Sequence, residues 1–201
     1  MKIYLISNNL LLDGLSYDSS ANLELIRMIR PLSVNGEQAS KKISEMKEFQ
    51  NIEKIYSSFH STTLSAAKYL SNKLELPINM DERLNDCKVG ILGSKNIKMV
   101  KGLQDHEFSY KLPSGESLND VGNRINNFIK EVCSKSEECV ILSHKRAILG
   151  FLLKHSKVGY NLDDNLILEY NGKLIYDDSE SDIDIYELTI ENREIVDVNK
   201  L

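Results

Sequence analysis

Cysteine is scarce in this chain. Cys87, Cys133 and Cys139 are odd in number and lack C-x-x-C spacing, which argues against a disulfide framework or a zinc knuckle and suits a reducing, cytoplasmic setting. Long apolar runs are missing too. No stretch approaches the ~20 residues that span a bilayer, and the first residues lack the basic start and long apolar core of a secretion signal. Positive charge is not in excess: 30 acidic against 25 basic residues leave a net charge of −5. That balance disfavours nucleic acid or an anionic membrane as a partner. No H-x-x-x-H pair or acidic cage suggests a metal, no cofactor is expected, and no internal repeat is present.

What the chain does have is enough apolar residue for one core. With 201 residues and 41% hydrophobic content, residues 1–201 are read as a single domain. Strands and helices alternate. Lys2 to Ile6 read as a short strand, "EQASKKISEMKEF" places Ala39, Ile43 and Met46 at helical spacing, and "NIEKIYSS" gives a strand ending at Ser57 and Ser58. A second helix carries Leu64, Ala67, Leu70 and Leu74 on one face. Pro77 to Leu112 has weak periodicity and reads as a long excursion over the sheet edge. Val121, Ile125, Phe128, Ile129 and Val132 form the clearest helical stripe. "ECVILSH" is then a continuous apolar strand of the kind buried on both faces, running directly into the helix "KRAILGFLLKH". Toward the end, Asn171-Gly172 is a strong type I′ hairpin signal, and a turn at Glu191 to Arg193 joins two more strands. "DDSESDID", Asp177 to Asp184, reads as a solvated loop.

Such alternation implies a mainly parallel sheet covered on both sides, with its site at the carboxyl ends of the strands. Those ends read Ser7-Asn8-Asn9, Ser57-Ser58-Phe59-His60 and Ser143-His144-Lys145-Arg146. Taken alone, Lys145 and Arg146 at a helix start read as solvent-facing. His60 reads as a partly exposed loop histidine, and His106 and His155 have no partner spacing.

"MKIYLI" plus its triplet, "PLSVNGEQA", "IYSSFHSTTLSAA", "ERLNDCKVG", "PSGESLNDVGNRI" and "VILSHKRAIL" resemble, in order and spacing over roughly residues 1 to 155, the histidine phosphatase superfamily with its phosphoglycerate mutase-like fold. The resemblance implies a three-layer α/β/α sandwich with a β-rich C-terminal edge. In that family the first strand ends in Arg-His-Gly, and the histidine is the nucleophile that becomes phosphorylated. The matching positions here are Ser7, Asn8 and Asn9. A second family arginine falls at Thr62. His144 matches a histidine that helps to hold the phosphate, Asp86 stands where a proton-donating Glu is usual, and Glu116 matches a Glu better suited to a structural hydrogen bond. Ser58 persists at its strand end.

An amide nitrogen's lone pair is delocalised into its carbonyl, so Asn8 cannot replace a phosphoryl-accepting imidazole. Ser7 offers one neutral hydroxyl in place of a charged fork. The expected function is therefore a catalytically inactive relative, a pseudophosphatase acting through a small polar molecule or a protein partner. Ser7, Asn8, Asn9, Ser58, Thr62, Asp86, Glu116, His144 and Lys145 are its candidate binding residues. Neutral Ser7, Asn8, Asn9 and Thr62 favour a hydroxyl- or amide-bearing ligand unless Lys145 or Arg146 turns inward. Two alternatives stand beside this reading. One is a diverged hydrolase in which His144 activates Ser7 with Asp86 as orienter. The other is a scaffold, with a possible homodimer through edge strands or recruitment through the acidic loop.

Overall fold

Side chains on a strand alternate between the two faces of its sheet, and the first strand divides the core accordingly. In the computed structural model, which describes residues 1–17, 22–93, 95–178 and 182–201, Ile3 and Leu5 join one apolar cluster while Tyr4 and Ile6 join the other. The elements in chain order are β1 (Lys2–Asn8), α1 (Leu23–Ile29), α2 (Val34–Ser44), β2 (Lys54–Ser57), α3 (Ser61–Leu74), β3 (Ile78–Met80), α4 (Ile97–His106) and α5 (Leu118–Lys135). There follow β4 (Cys139–Ser143), α6 (Lys145–Leu152), β5 (Lys157–Tyr160), β6 (Leu166–Tyr170), β7 (Lys173–Asp177), β8 (Ile183–Glu191) and β9 (Glu194–Lys200).

The central sheet has the order β3-β2-β4-β1-β8-β9. Its first four strands are parallel and the last two antiparallel, so the sheet is mixed, with the expected β-rich C-terminal edge. Ala66, Ala67 and Leu70 of α3 pack with Tyr4 and Ile6, and α5 and α6 pack with Ile3 and Leu5 on the opposite face. This is the three-layer arrangement. A separate antiparallel sheet, β5-β6-β7, lies beyond α6. All three cysteines are free and buried. No helix among the described residues is long and apolar enough to cross a membrane.

Most of the periodic segments form as their spacing implies. Val121, Ile125, Phe128, Ile129 and Val132 are all buried along α5, and every residue of β4 is buried. Asn171 and Gly172 both have positive φ, 49° and 77°, as a type I′ turn demands. Asn192 and Arg193 repeat that geometry between β8 and β9. Three places differ. β1 runs two residues past its apolar stretch, through Ser7 and Asn8. The excursion from Pro77 to Leu112 contains β3 and α4. Helix α1 has no counterpart in the periodicity because none of its residues is buried. The acidic loop from Asp177 to Asp184 lies partly outside the described residues, which omit 179–181.

The α5–α6 contact depends on two glycines. A Cβ at Gly122 would sit 2.1 Å from the Gly150 carbonyl oxygen, and one at Gly150 would sit 2.6 Å from the Leu118 carbonyl oxygen. Helix propensity alone favours alanine at both sites by about 1 kcal/mol, but backbone cannot yield as a flexible side chain does. Gly122→Ala is therefore expected to destabilise the fold, by about 1–3 kcal/mol for overpacking. A urea titration checks this through a lower midpoint at unchanged slope.

Candidate functional site

The carboxyl ends of β1, β2 and β4 open into one pocket of about 530 Å³, with Asn9, His60, Thr62 and His144 in its walls. His60 and His144 are the residues immediately before α3 and α6, and neither helix has a side-chain cap. The unpaired amides of a helix's first turn carry partial positive charge and favour an anion. The remaining walls are mostly charged. Arg27, Arg30, Lys101, Lys145 and Arg146 supply five cations against Asp86, Asp105 and Asp178, in a chain whose net charge is −5.

His144 is buried and its Nε2 lies 2.8 Å from the Ser58 hydroxyl. Ser58 in turn pairs with Thr63 at 2.7 Å and accepts the His60 amide at 3.2 Å. The His60 and His144 rings lie 4.3 Å apart, tilted by 57°. Burial drives the pKa of His144 down to about 3, against the pull of Asp86 and with help from His60 and Arg27. His60 is lowered as well, chiefly by burial. Two charged imidazoles in this position would be both desolvated and mutually repelled, so both rings are neutral near pH 7.

Asp86 has the opposite tendency. Burial alone would raise its pKa, but Arg27, His144 and the Cys87 amide bring it to about 2. The Arg27 guanidinium donates to its carboxylate. Arg27 also donates to the Cys87 carbonyl at 3.0 Å, and Glu24 accepts the Val89 amide at 2.8 Å. These bonds fasten α1 across the pocket to the segment from Asp86 to Val89.

The candidate residues separate into two groups. Asn9, Thr62, Asp86, His144 and Lys145 line the pocket, as does Arg146. Ser7, Asn8, Ser58 and Glu116 do not. The Asn8 amide donates to the Gly36 carbonyl and to the Ser40 hydroxyl, both at 2.9 Å, and its oxygen accepts the Leu10 amide at 3.0 Å. Its side chain has the same facing as Ile6 and fastens β1 to α2. The Ser7 hydroxyl is buried without a hydrogen-bond partner among the described residues, and no hydrogen bond joins it to His144. Ser58 is fully buried behind the His144 ring. Glu116 forms a two-point pair with Arg124, 2.8 Å at each oxygen, and accepts the Lys88 amide at 3.0 Å.

Two expectations drawn from local sequence are corrected. His60 is 5% exposed, because it closes the end of β2 against His144. Lys145 and Arg146 turn inward: Lys145 sits 3.6 Å from Asp178, and buried Arg146 pairs with Asp105 and, at 3.1 Å, with Gln104. The first turn of α6 faces the strand ends rather than solvent. His155 bonds Asn126 at 3.1 Å, and His106 stacks on Tyr160, both outside the pocket. No group of three metal-ligating side chains occurs among the described residues. Arg27, Arg30 and Lys101 are pocket residues that sequence reasoning misses; the spacing of Ile97, Lys101 and Asp105, four apart on one helix, is the signal that marks part of that wall.

A pocket at the carboxyl ends of a largely parallel sheet, walled by helix N-termini and cations, defines an α/β domain suited to anionic ligands. The chain belongs to the histidine phosphatase superfamily, branch 1, whose family model matches residues 29–174. That match includes His144 and begins after Ser7, Asn8 and Asn9. Solved structures of the same fold include a complex of mycobacterial glucosyl-3-phosphoglycerate phosphatase with inorganic phosphate. It is 14% identical with a TM-score of 0.68, and the alignment covers 99% of this chain and 94% of that one. The alpha-ribazole phosphatase of Shigella flexneri is 15% identical with a TM-score of 0.64, covering 96% and 92%. YhfR of Bacillus stearothermophilus is 17% identical with a TM-score of 0.65, covering 97% and 95%. Comparison with curated protein sequences finds no significant match.

The depressed histidines have a consequence for stability. The unfolded His144 ring takes up a proton near its ordinary pKa of 6.5, while the native ring resists until about pH 3. Protons therefore favour the unfolded state in that interval, and stability falls as pH drops from about 6.5 toward 3. Urea midpoints measured across this range are expected to decline, with less decline in His144→Asn. Ring nitrogen shifts in NMR should report His144 as neutral at pH 5.

Proposed function

We propose that this chain is a non-catalytic member of its superfamily, a pseudophosphatase that uses the pocket to bind a small anionic molecule. The observation that carries the reading is Asn8. It stands where the resemblance places the nucleophile, its amide has no free lone pair to offer, and its side chain is committed to Gly36, Ser40 and Leu10. Asp86, at the place of the proton donor, is ionised and held by Arg27, so it has no proton to give at neutral pH. Ser7, His144 and Asp86 share no hydrogen bond, which weighs against the hydrolase alternative.

The expectation of a neutral ligand rests on Ser7, Asn8, Asn9 and Thr62 walling the pocket. Of these only Asn9 and Thr62 do so, and five cations surround them. An anion is the better fit. The phosphate complex of the mycobacterial phosphatase of similar fold supports the same chemistry. The reading predicts saturable binding of inorganic phosphate, no turnover of 4-nitrophenyl phosphate, and no label retained after exposure to a radiolabelled phosphomonoester. Turnover that disappears in Asn8→Ala would overturn it.

A second reading keeps the scaffold. Leu12, Leu15, Tyr17, Leu25 and Ile29 are all exposed, each 38% or more, in the segment that carries α1. Such a cluster suits a protein partner or a second copy. A concentration-dependent sedimentation coefficient, reduced in Leu25→Glu/Ile29→Glu, is the expected result on that reading.

A further inference from the structure

Four of the five pocket cations are already engaged by the protein. Arg27 is paired with Asp86 and, at 3.2 Å, with Glu24; Arg30 with Asp13 at 3.1 Å; Lys145 with Asp178; and Arg146 with Asp105. The Lys101 ammonium has no hydrogen bond or ion pair among the described residues. It stands on α4 between Ile97 and Asp105, and these three residues, spaced by one helical turn, all face the pocket. The same wall thus offers an apolar side chain and an uncommitted cation side by side.

We infer that Lys101 and Ile97 form the recognition wall of the pocket, with Lys101 taking the ligand's anionic group and Ile97 an apolar organic part. This rests on the pocket being an anion site. An anion that meets Arg27, Arg30, Lys145 or Arg146 must share or displace a carboxylate already there. Pairing with Lys101, an exposed residue of that helix, breaks no internal bond. Size points the same way. At about 530 Å³ the pocket is of the order that encloses a whole small organic molecule rather than one inorganic ion. Leu11 supplies further apolar wall. The ligand class is therefore an organic anion with a compact apolar group, bound in preference to inorganic phosphate, and phenyl phosphate serves as its probe.

Calorimetric titration with phenyl phosphate and with inorganic phosphate tests this in the full chain. Phenyl phosphate is expected to bind at least tenfold more tightly. Lys101→Ala should weaken both ligands at least tenfold, and Lys101→Arg should recover most of the loss. Ile97→Asn should remove the preference for phenyl phosphate while leaving inorganic phosphate within threefold. Lys98→Ala, on the exposed face of the same helix, should change neither. If the wild-type chain binds neither ligand, the anion-site reading and this inference fall together. If it binds both but Lys101→Ala binds as well as wild type, or phenyl phosphate has no advantage, the inference alone is overturned.

Discussion

One guanidinium organises the site from behind. Arg124 of α5 donates to both oxygens of Glu116 and to the carbonyls of Arg83, Asn85 and Asp86, at 2.6 to 2.9 Å. An arginine has five N–H groups in a fixed planar fork, and all five are used. The consequence reaches outward. The three carbonyls belong to the segment that ends in Asp86, so the 18-residue helix α5 sets where that carboxylate sits. Asp86 then holds Arg27, and Arg27 holds α1. A helix with no buried side chain has little apolar burial to place it. Its position over the pocket depends on this relay of charge from α5, together with the Glu24 bond to Val89.

The relay explains what the sequence shows and what it conceals. Burial leaves a period in the sequence, 2 for strands and 3.6 for helices. β1, β4 and α5 are therefore plain to read, as is the Asn171-Gly172 hairpin through its backbone demand. Helices α1 and α4 bury almost nothing, and α4 buries only Val100 and Gln104. Their places are fixed by long-range polar contacts that leave no period. The site divides along the same line. His144 and Thr62 follow strands that periodicity identifies, so their arrival in the pocket is legible. Arg27 and Lys101 come from the two helices it does not identify, and Arg30 directly follows the first of them. Lys145 and Arg146 were legible as residues but not in direction, since their facing depends on carboxylates more than 30 residues away.

Charge is balanced locally rather than over the whole chain. Each arginine of the pocket has a carboxylate beside it, which limits the repulsion among five cations gathered at one end of the sheet. The two histidines solve the same problem differently, by staying neutral. A protonated His144 would add a sixth positive charge in a buried position already facing Arg27. Its bond to Ser58 instead joins the ends of β4 and β2, giving the pocket a rigid floor. The residual positive potential available to a ligand comes from helix N-termini and from Lys101.

Asn8, in the polar triplet at the end of β1, has a structural role. Because the strand continues through Ser7 and Asn8, alternation assigns Asn8 to the face of Tyr4 and Ile6, where α2 lies. An amide suits that place: it donates twice, to Gly36 and Ser40, and accepts once from Leu10. Its buried polar atoms are thereby satisfied. A nucleophile has contrary needs, since it must present an unshared lone pair to an open pocket. The same position cannot serve both ends. In this chain the end of the first strand is a fastening between sheet and helix, and the pocket has been built around it from α1, α4 and the first turns of α3 and α6.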